Sequence, residues 1–217
     1  MKTSNQLSKY QFSGLLTGLV MATMVLGSCS KDDSEIIIEG RAKVMIVNAA
    51  SGSPASYIST DAGNSRKAEF KNNSNASVNF TGYVDLTANE NYTFFYTGKA
   101  DGSGNSSAVF KDEQTSPSSN KAKLRFVNLA EGLASANLMI TGGLVFASNV
   151  AFGTASSFSE VDPGTFALQT VMATSASTSA SLGSFTLQAG KIYTIYTSGS
   201  LTGSAQTAIS AKMLTHN

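Results

Sequence analysis

Few residues in this chain of 217 have the chemistry of a site. Cys29 is the only thiol and stands near the end of an uncharged run from Tyr10 to Ser30. His216 is the only imidazole and the penultimate residue, where chains usually fray. One cysteine and one terminal histidine cannot furnish a serine triad with a held imidazole, nor a His/Cys metal site. Glu160 and Asp162 share one face of a strand and could act as a carboxylate pair, but beside Pro163-Gly164 they are expected to be solvated. Asp101-Gly102-Ser103-Gly104-Asn105 with Asp112 places oxygen ligands at alternate positions, as a calcium loop does. Ser106 stands where that loop needs glycine, and Asp112 where it needs glutamate, so a hairpin is the expectation. Sugar binding would ordinarily use aromatic platforms, and with no tryptophan these would be Tyr83, Tyr92, Tyr96, Tyr193 and Tyr196. No catalytic, cofactor-binding or metal-binding residue is expected, and the chain is read as a non-enzyme.

The elements that would position Cys29 begin at the amino terminus. Lys2 and Lys9 are followed by an apolar centre, Leu15 to Leu26, and small residues close it. A basic start, an apolar middle and a small-residue end make a secretory signal over 1–28. The ending Leu26-Gly27-Ser28-Cys29 resembles the lipobox of bacterial lipoproteins. The resemblance implies that Leu26, Gly27 and Ser28 are read by the signal peptidase and that Cys29 carries lipid as residue one of the mature chain. Two or more acyl chains exceed what stable attachment to a bilayer needs. The following Ser30-Lys31-Asp32-Asp33 resembles the export signal of surface lipoproteins in Bacteroidetes-type bacteria. It implies an outer membrane location facing the cell exterior. A plain acidic tether over 29–35, with the protein on the periplasmic face, is the other reading.

Removing 1–28 takes two lysines and no acid, leaving 13 basic against 14 acidic side chains. That balance offers no electrostatic case for nucleic acid. With one cysteine no disulfide can staple the fold, so stability must come from buried apolar surface.

The remaining chain is repetitive. Ala42-Lys43-Val44-Met45-Ile46-Val47-Asn48-Ala49-Ala50 reappears as Ala122-Lys123-Leu124-Arg125-Phe126-Val127-Asn128-Leu129-Ala130, an offset of 80 with five of nine positions identical. Leu86-Thr87-Ala88-Asn89-Glu90-Asn91-Tyr92-Thr93 reappears as Leu187-Gln188-Ala189-Gly190-Lys191-Ile192-Tyr193-Thr194, an offset of 101 with four of eight identical. Exchange of Asn89 for Gly190 marks a turn with positive φ in both copies. Tyr92 and Tyr193 recur in place, which fits a buried ring with its hydroxyl tied back. Ser107-Ala108-Val109-Phe110 and Thr207-Ala208-Ile209-Ser210 are expected as closing strands. In Lys123-Leu124-Arg125-Phe126 the charges are expected outside and Leu124 and Phe126 inside. Asp162-Pro163-Gly164 reads as a turn between strands. Asp61 to Ala76 reads as a long loop and Ala173 to Ser181 as a hairpin loop, while Ile36-Ile37-Ile38 is either an edge strand or padding.

No helical period persists beyond the leader, so the class is all-β, with two tandem related sandwiches, Ig-like or transthyretin-like. Their bounds are 36–113 and 122–217, with the polar, proline-containing stretch 114–121 as linker. Lys123 to Asn128, Asn149-Val150-Ala151-Phe152-Gly153-Thr154-Ala155-Ser156, Val161-Asp162-Pro163-Gly164 and Ala189 to Thr194, taken in order, resemble domain-of-unknown-function family 4397 (DUF4397). The resemblance covers the second domain and implies an exported or surface-anchored β-sandwich module with no assigned activity. The expected function is a lipoprotein held to the bilayer through Cys29, presenting two interaction modules to an unknown protein or glycan. The alternative is a glycan-binding accessory lipoprotein of a nutrient-uptake system. No cofactor is expected.

Overall fold

The two repeated segments find each other in the same way in both copies. A computed structural model describes residues 42–49, 56–60, 66–72, 78–98, 104, 106–113, 115–204 and 207–216, all within one compact unit spanning 38–217. Every regular element among the described residues is a strand. Strand β1 (Lys43–Asn48) runs parallel to β5 (Asn91–Thr97), which pairs antiparallel with β6 (Ser106–Lys111). Strand β7 (Ala122–Asn128) runs parallel to β14 (Ile192–Ser198), which pairs antiparallel with β15 (Ser210–His216). The registers coincide: Lys43 faces Asn91 and Val44 faces Tyr92, as Lys123 faces Ile192 and Leu124 faces Tyr193. Two sequence offsets, 80 and 101, therefore meet in one structural equivalence.

A second sheet accompanies each of these. Strands β2 (Ser56–Thr60), β3 (Arg66–Asn72) and β4 (Val78–Val84) form one in sequence order. Strands β8 (Ser135–Ile140), β9 (Val145–Ala151), β12 (Gly164–Met172) and β13 (Ser175–Leu187) form the other, in the order β13-β12-β8-β9. The short β10 (Thr154–Ala155) and β11 (Ser159–Val161) pair antiparallel with the outer edge of β7.

Alternation assigns the apolar residues to three clusters. Tyr92, Phe94 and Tyr96 of β5 pack with Ala68 and Val84, against Val44 and Phe80. Leu124 and Phe126 of β7 pack with Leu138, Leu168, Leu187 and Ile195. The opposite faces of these strands are buried too: Val47, Ala49 and Phe95 from the first copy meet Val127, Leu129 and Tyr196 from the second. Tyr196 lies edge-on to Phe95 at 5.1 Å between centroids. Strands β5, β7 and β14 thus read as nearly continuous buried runs, because they have protein on both sides.

Local details follow from the repeat. Asn89 (φ 63°) and Gly190 (φ 78°) both occupy the left-handed region. Backbone N–H groups of Thr87 and Gln188 donate to the hydroxyls of Tyr92 and Tyr193, at 3.1 and 3.0 Å. Both tyrosines are buried, with hydroxyls returned to the backbone five residues earlier. The Asp162-Pro163 link joins β11 to β12, as expected.

Four expectations are corrected. Asp61 to Ala76 contains β3, whose Ala68 is fully buried although its neighbours Lys67 and Glu69 form an ion pair. The turn after β12 is only Ala173-Thr174, and the Ser/Thr/Ala stretch that follows is strand, since ladder hydrogen bonds need no apolar side chain. The second closing strand lies at 210–216, beyond Thr207-Ala208-Ile209-Ser210, because the chain detours at Ser200 to Thr207 before rejoining β14. Arg125 is not outside: only 2% of it is exposed, because the face of β7 that carries it is covered by the first copy. Ile36-Ile37-Ile38, the leader and Cys29 lie outside the described residues.

A Cβ at Gly190 would meet nothing within 4 Å, so only backbone conformation resists substitution there. Gly190→Val is expected to lower stability by about 1–2 kcal/mol, and Gly190→Asn by only a few tenths. Urea unfolding of the two variants checks this, and equal losses would contradict it.

Candidate functional site

The face shared by the two copies carries polar groups as well as apolar ones. At the end of the seam where β1, β5, β7 and β14 begin, Arg125 reaches across from β7. Its Nη2 donates to Asp112 Oδ1 at 2.7 Å, its Nη1 to the Lys111 carbonyl at 2.9 Å, and its Nε to Thr194 Oγ1 at 3.1 Å. The guanidinium lies over the ring of Phe158, 4.5 Å from its centroid, with Phe110 at 5.6 Å. Thr93 Oγ1 donates to the Asp112 carboxylate at 2.8–2.9 Å. Arg125 and Asp112 are each 3% exposed in their side chains, so the ion pair is buried and its remaining hydrogen-bonding capacity is met inside.

His216 completes the group. Far from fraying, it is buried as the last residue of β15, with Phe158 edge-on to its ring. Its Nε2 lies 2.8 Å from Thr194 Oγ1, and its Nδ1 is 3.6 Å from Asp112 Oδ2. Thr194 Oγ1 accepts from Arg125 and can donate its own proton to Nε2. That arrangement fits a neutral imidazole with its proton on Nδ1, toward Asp112. Burial lowers the His216 pKa below its usual value; Asp112 pulls it upward and Arg125 pushes it down.

The ladder registers show why these residues meet. Phe94 pairs with Val109 as Ile195 pairs with Met213, and Thr93 pairs with Phe110 as Thr194 pairs with Leu214. Two positions past Phe110 and Leu214 stand Asp112 and His216. They are equivalent residues of the two copies, each bonded to an equivalent threonine, Thr93 or Thr194. Arg125 takes the place held by Met45 in the first copy. The cluster is thus a symmetric meeting point with one arginine added on one side.

Hydroxyl, imidazole and carboxylate follow one another here in the order of a nucleophilic triad. Thr194, however, is fully buried and its oxygen faces the Arg125 Nε–H, so it cannot approach a substrate. What the cluster can do is join the two copies and exchange a proton. A cavity of about 190 Å³ lined by Lys43, Met45, Asn91, Tyr92, Asp112, Thr215 and His216 adjoins it.

Other candidates are placed as follows. Glu160 accepts from both N–H and hydroxyl of Ser118 at 2.7 Å, and Asp162 from Lys121 Nζ at 2.6 Å; both acids are exposed and tie Ser118 and Lys121 to β11 and the residue after it. The Ser118 bonds hold the Glu160 carboxyl below the usual range. Asp112 serves Arg125 and Thr93, which removes it from a calcium loop, and Asp101, Gly102, Ser103 and Asn105 lie outside the described residues. Among the described residues no three metal-ligating side chains cluster, and no helix is long and apolar enough to cross a membrane. Tyr92, Tyr96, Tyr193 and Tyr196 are buried, and burial raises the pKa of Tyr96 and Tyr196; the fifth candidate, Tyr83, is exposed. Leu26, Gly27, Ser28 and Cys29 lie outside the described residues.

A family model, the domain of unknown function DUF4397, matches residues 52–137. The match runs from ahead of β2 into β8, whereas the resemblance read from sequence lay on 122–217. Its length is close to the repeat offset of 80, so it spans about one repeat cut at a different point of the cycle. No curated protein matches the chain.

Two outcomes are expected from the cluster. Arg125→Met leaves Asp112 buried without its counter-charge and should cost about 3–5 kcal/mol in urea unfolding. The lowered pKa of His216 means that the unfolded chain binds a proton before the folded one does. Its contribution is present above about pH 6.5 and is lost as pH falls through the folded value, with a slope of at most about 1.4 kcal/mol per pH unit for one proton. The groups facing it are Asp112, Arg125, Lys43 and Tyr92. His216→Gln should flatten the fall between pH 7 and 5, and an unchanged slope would refute this role.

Proposed function

We propose that this chain is a non-enzymatic lipoprotein, held in the outer membrane through lipid on Cys29, that presents a joined pair of β-sandwich domains to a partner. The observation that carries the reading is Leu26-Gly27-Ser28-Cys29 at the end of an apolar run preceded by lysines. The domains are 36–113 and 122–217, of Ig-like or transthyretin-like kind, joined by 114–121 and tethered by 29–35. Support for this division comes from the recurrence of one parallel pair, one closing strand and one tied tyrosine in each half. Support for a non-catalytic role comes from the Asp112, Arg125, Thr194 and His216 side chains, which satisfy one another. The protein faces the cell exterior on this reading, through Ser30-Lys31-Asp32-Asp33. A glycan-binding role through the tyrosines is not favoured, because four of the five are buried.

In cells fed an alkyne fatty acid, the wild-type chain should incorporate label and sediment with membranes, and Cys29→Ala should do neither. A Cys29→Ala chain that loses the label yet stays with the membrane would overturn the anchor. Protease added to intact cells should degrade the wild type; protection would place it on the periplasmic face.

A further inference from the structure

The two copies differ in how the outer edge of their first strand is covered. In the second copy β10 and β11 pair antiparallel with that edge of β7, and the Ser156 and Gly153 N–H groups donate to the Phe126 and Asn128 carbonyls at 2.8 Å. Between the repeated segments the second copy has residues 131–186 and the first only 51–85, which is why the offset grows from 80 to 101. The described residues of 51–85 form β2, β3 and β4, all in one separate sheet, whereas 131–186 also supplies β10 and β11. Among the described residues the other sheet of the first copy therefore ends at β1, in the order β1-β5-β6.

Alternation fixes which groups of β1 face that edge. The N–H groups of Lys43 and Ala49 donate to the Glu90 and Tyr96 carbonyls at 3.0 and 2.8 Å, so the odd-numbered peptide groups turn to β5 and those of Val44 and Ile46 turn away from it. Their counterparts in the second copy are Leu124 and Phe126, whose edge is occupied. Ile46 is 43% exposed and Phe126 0%. Both faces of β1 nevertheless carry protein: Val44 packs on the first-copy core and Met45 on the seam. A segment that completes this edge must be extended, and apolar on both faces beside Val44 and Met45.

We propose that the chain's own Ile36-Ile37-Ile38-Glu39 segment docks antiparallel on this edge, as a hairpin with β1. The stretch outside the described residues runs up to Arg41, one residue before β1, so the segment is held beside its dock by a short link. Turning at Gly40-Arg41 sets Glu39 opposite Ala42, Ile38 opposite Lys43, Ile37 opposite Val44 and Ile36 opposite Met45. Glycine first in a two-residue loop suits a type II′ turn. Such a loop needs its flanking residues to exchange hydrogen bonds, and the parity agrees, since Ala42 and Val44 belong to the set that bonds outward. Opposite residues share a face, which lays Ile37 beside Val44 and Ile36 beside Met45. Three consecutive isoleucines suit neither a solvated tether nor a strand with one wet face, and this edge offers cover on both. Glu35 would come opposite Ile46, so the pairing ends at Ile36. The docking does not depend on lipid at Cys29. Combined with the anchor reading, on which this step alone rests, it leaves 29–35 as the free tether, at most about 25 Å long, and turns the end of β1 toward the bilayer.

The test follows hydrogen exchange by mass spectrometry in the detergent-solubilised full chain, and disulfide trapping in a Cys29→Ala background. The amides of Ile37, Glu39 and Val44 should exchange at least about a hundredfold more slowly than those of an unstructured chain. Ile36→Cys with Met45→Cys should oxidise to an intrachain disulfide, because a non-hydrogen-bonded pair stands about 4.5 Å apart between Cα atoms, within disulfide range. Ile36→Cys with Lys43→Cys, two residues out of register, should oxidise at least about tenfold more slowly. Unstructured exchange at Ile37, with or without protection at Val44, would overturn the proposal, as would equal rates for the two cysteine pairs. A disulfide-linked dimer of the first pair in place of the intrachain product would put a second copy on the edge and overturn it as well. Hydrogen exchange needs no substitution, so a variant that fails to fold leaves the proposal testable, and a chain that proves to carry no lipid leaves both readouts in place.

Discussion

A guanidinium taken out of water must keep a counter-charge and a full set of acceptors, and that requirement governs how the two copies in this chain are joined. Arg125 sits on β7 of the second copy, while Asp112 and the Lys111 carbonyl follow or end β6 of the first. The partners are therefore drawn from both copies, and neither copy alone satisfies the cluster. The apolar contacts of Phe95, Val127, Leu129 and Tyr196 supply area at the seam, but they could tolerate small shifts. A carboxylate at 2.7 Å from a guanidinium, with that guanidinium also bound to a carbonyl and a threonine, tolerates far fewer. Register between the copies is set by the polar group, and the cost of desolvation is offset by the bonds it makes.

The symmetry of the seam explains where chemistry concentrates. Equivalent positions of two related units meet across an approximate two-fold axis, so a residue near the axis faces its own counterpart. Asp112 faces His216 for this reason, and Ala49 faces Leu129 near the other end. Identical residues at such places would put like beside like: two aspartates would repel, and two histidines would compete for one proton. Divergence to Asp in one copy and His in the other, with Arg125 replacing the Met45 type, turns a repulsive meeting into an attractive one.

Much of this arrangement was legible in the sequence, because the signals are local or periodic. The turn at Asn89 and Gly190, the tied tyrosines and the inward Leu124 and Phe126 all follow from residue type and spacing, and each appears in the structure. The burial of Arg125 and His216 was not legible, because it depends on a second layer of protein that no pattern within one strand reveals. An alternating strand with one covered face and a strand covered on both faces differ only in whether the polar residue of the alternation finds a partner. The hint was present in the exchange of Met45 for Arg125 within an otherwise apolar-for-apolar repeat. Strand β3 and the first part of β13 were missed for the converse reason, since their polar side chains look like loop while their backbones complete a ladder.

The same seam limits what can be concluded from either half in isolation. Residues 122–217 separated from 42–113 would expose Val127, Leu129 and Tyr196 together, a patch of the kind that soluble surfaces avoid. Arg125 would lose Asp112 and the Lys111 carbonyl, and His216 would be freed of the neighbour that draws its proton toward Nδ1. A cavity of about 240 Å³ lined by Leu129, Glu131, Phe152 and Gly199 of the second half would lose Ala49, Thr97, Gly98, Gly104 and Ser106 from its lining. Repetition in the sequence invites division at 114–121, yet each shared feature of the molecule, the polar cluster, the apolar seam and the cavity, is completed only by residues from both sides of that line.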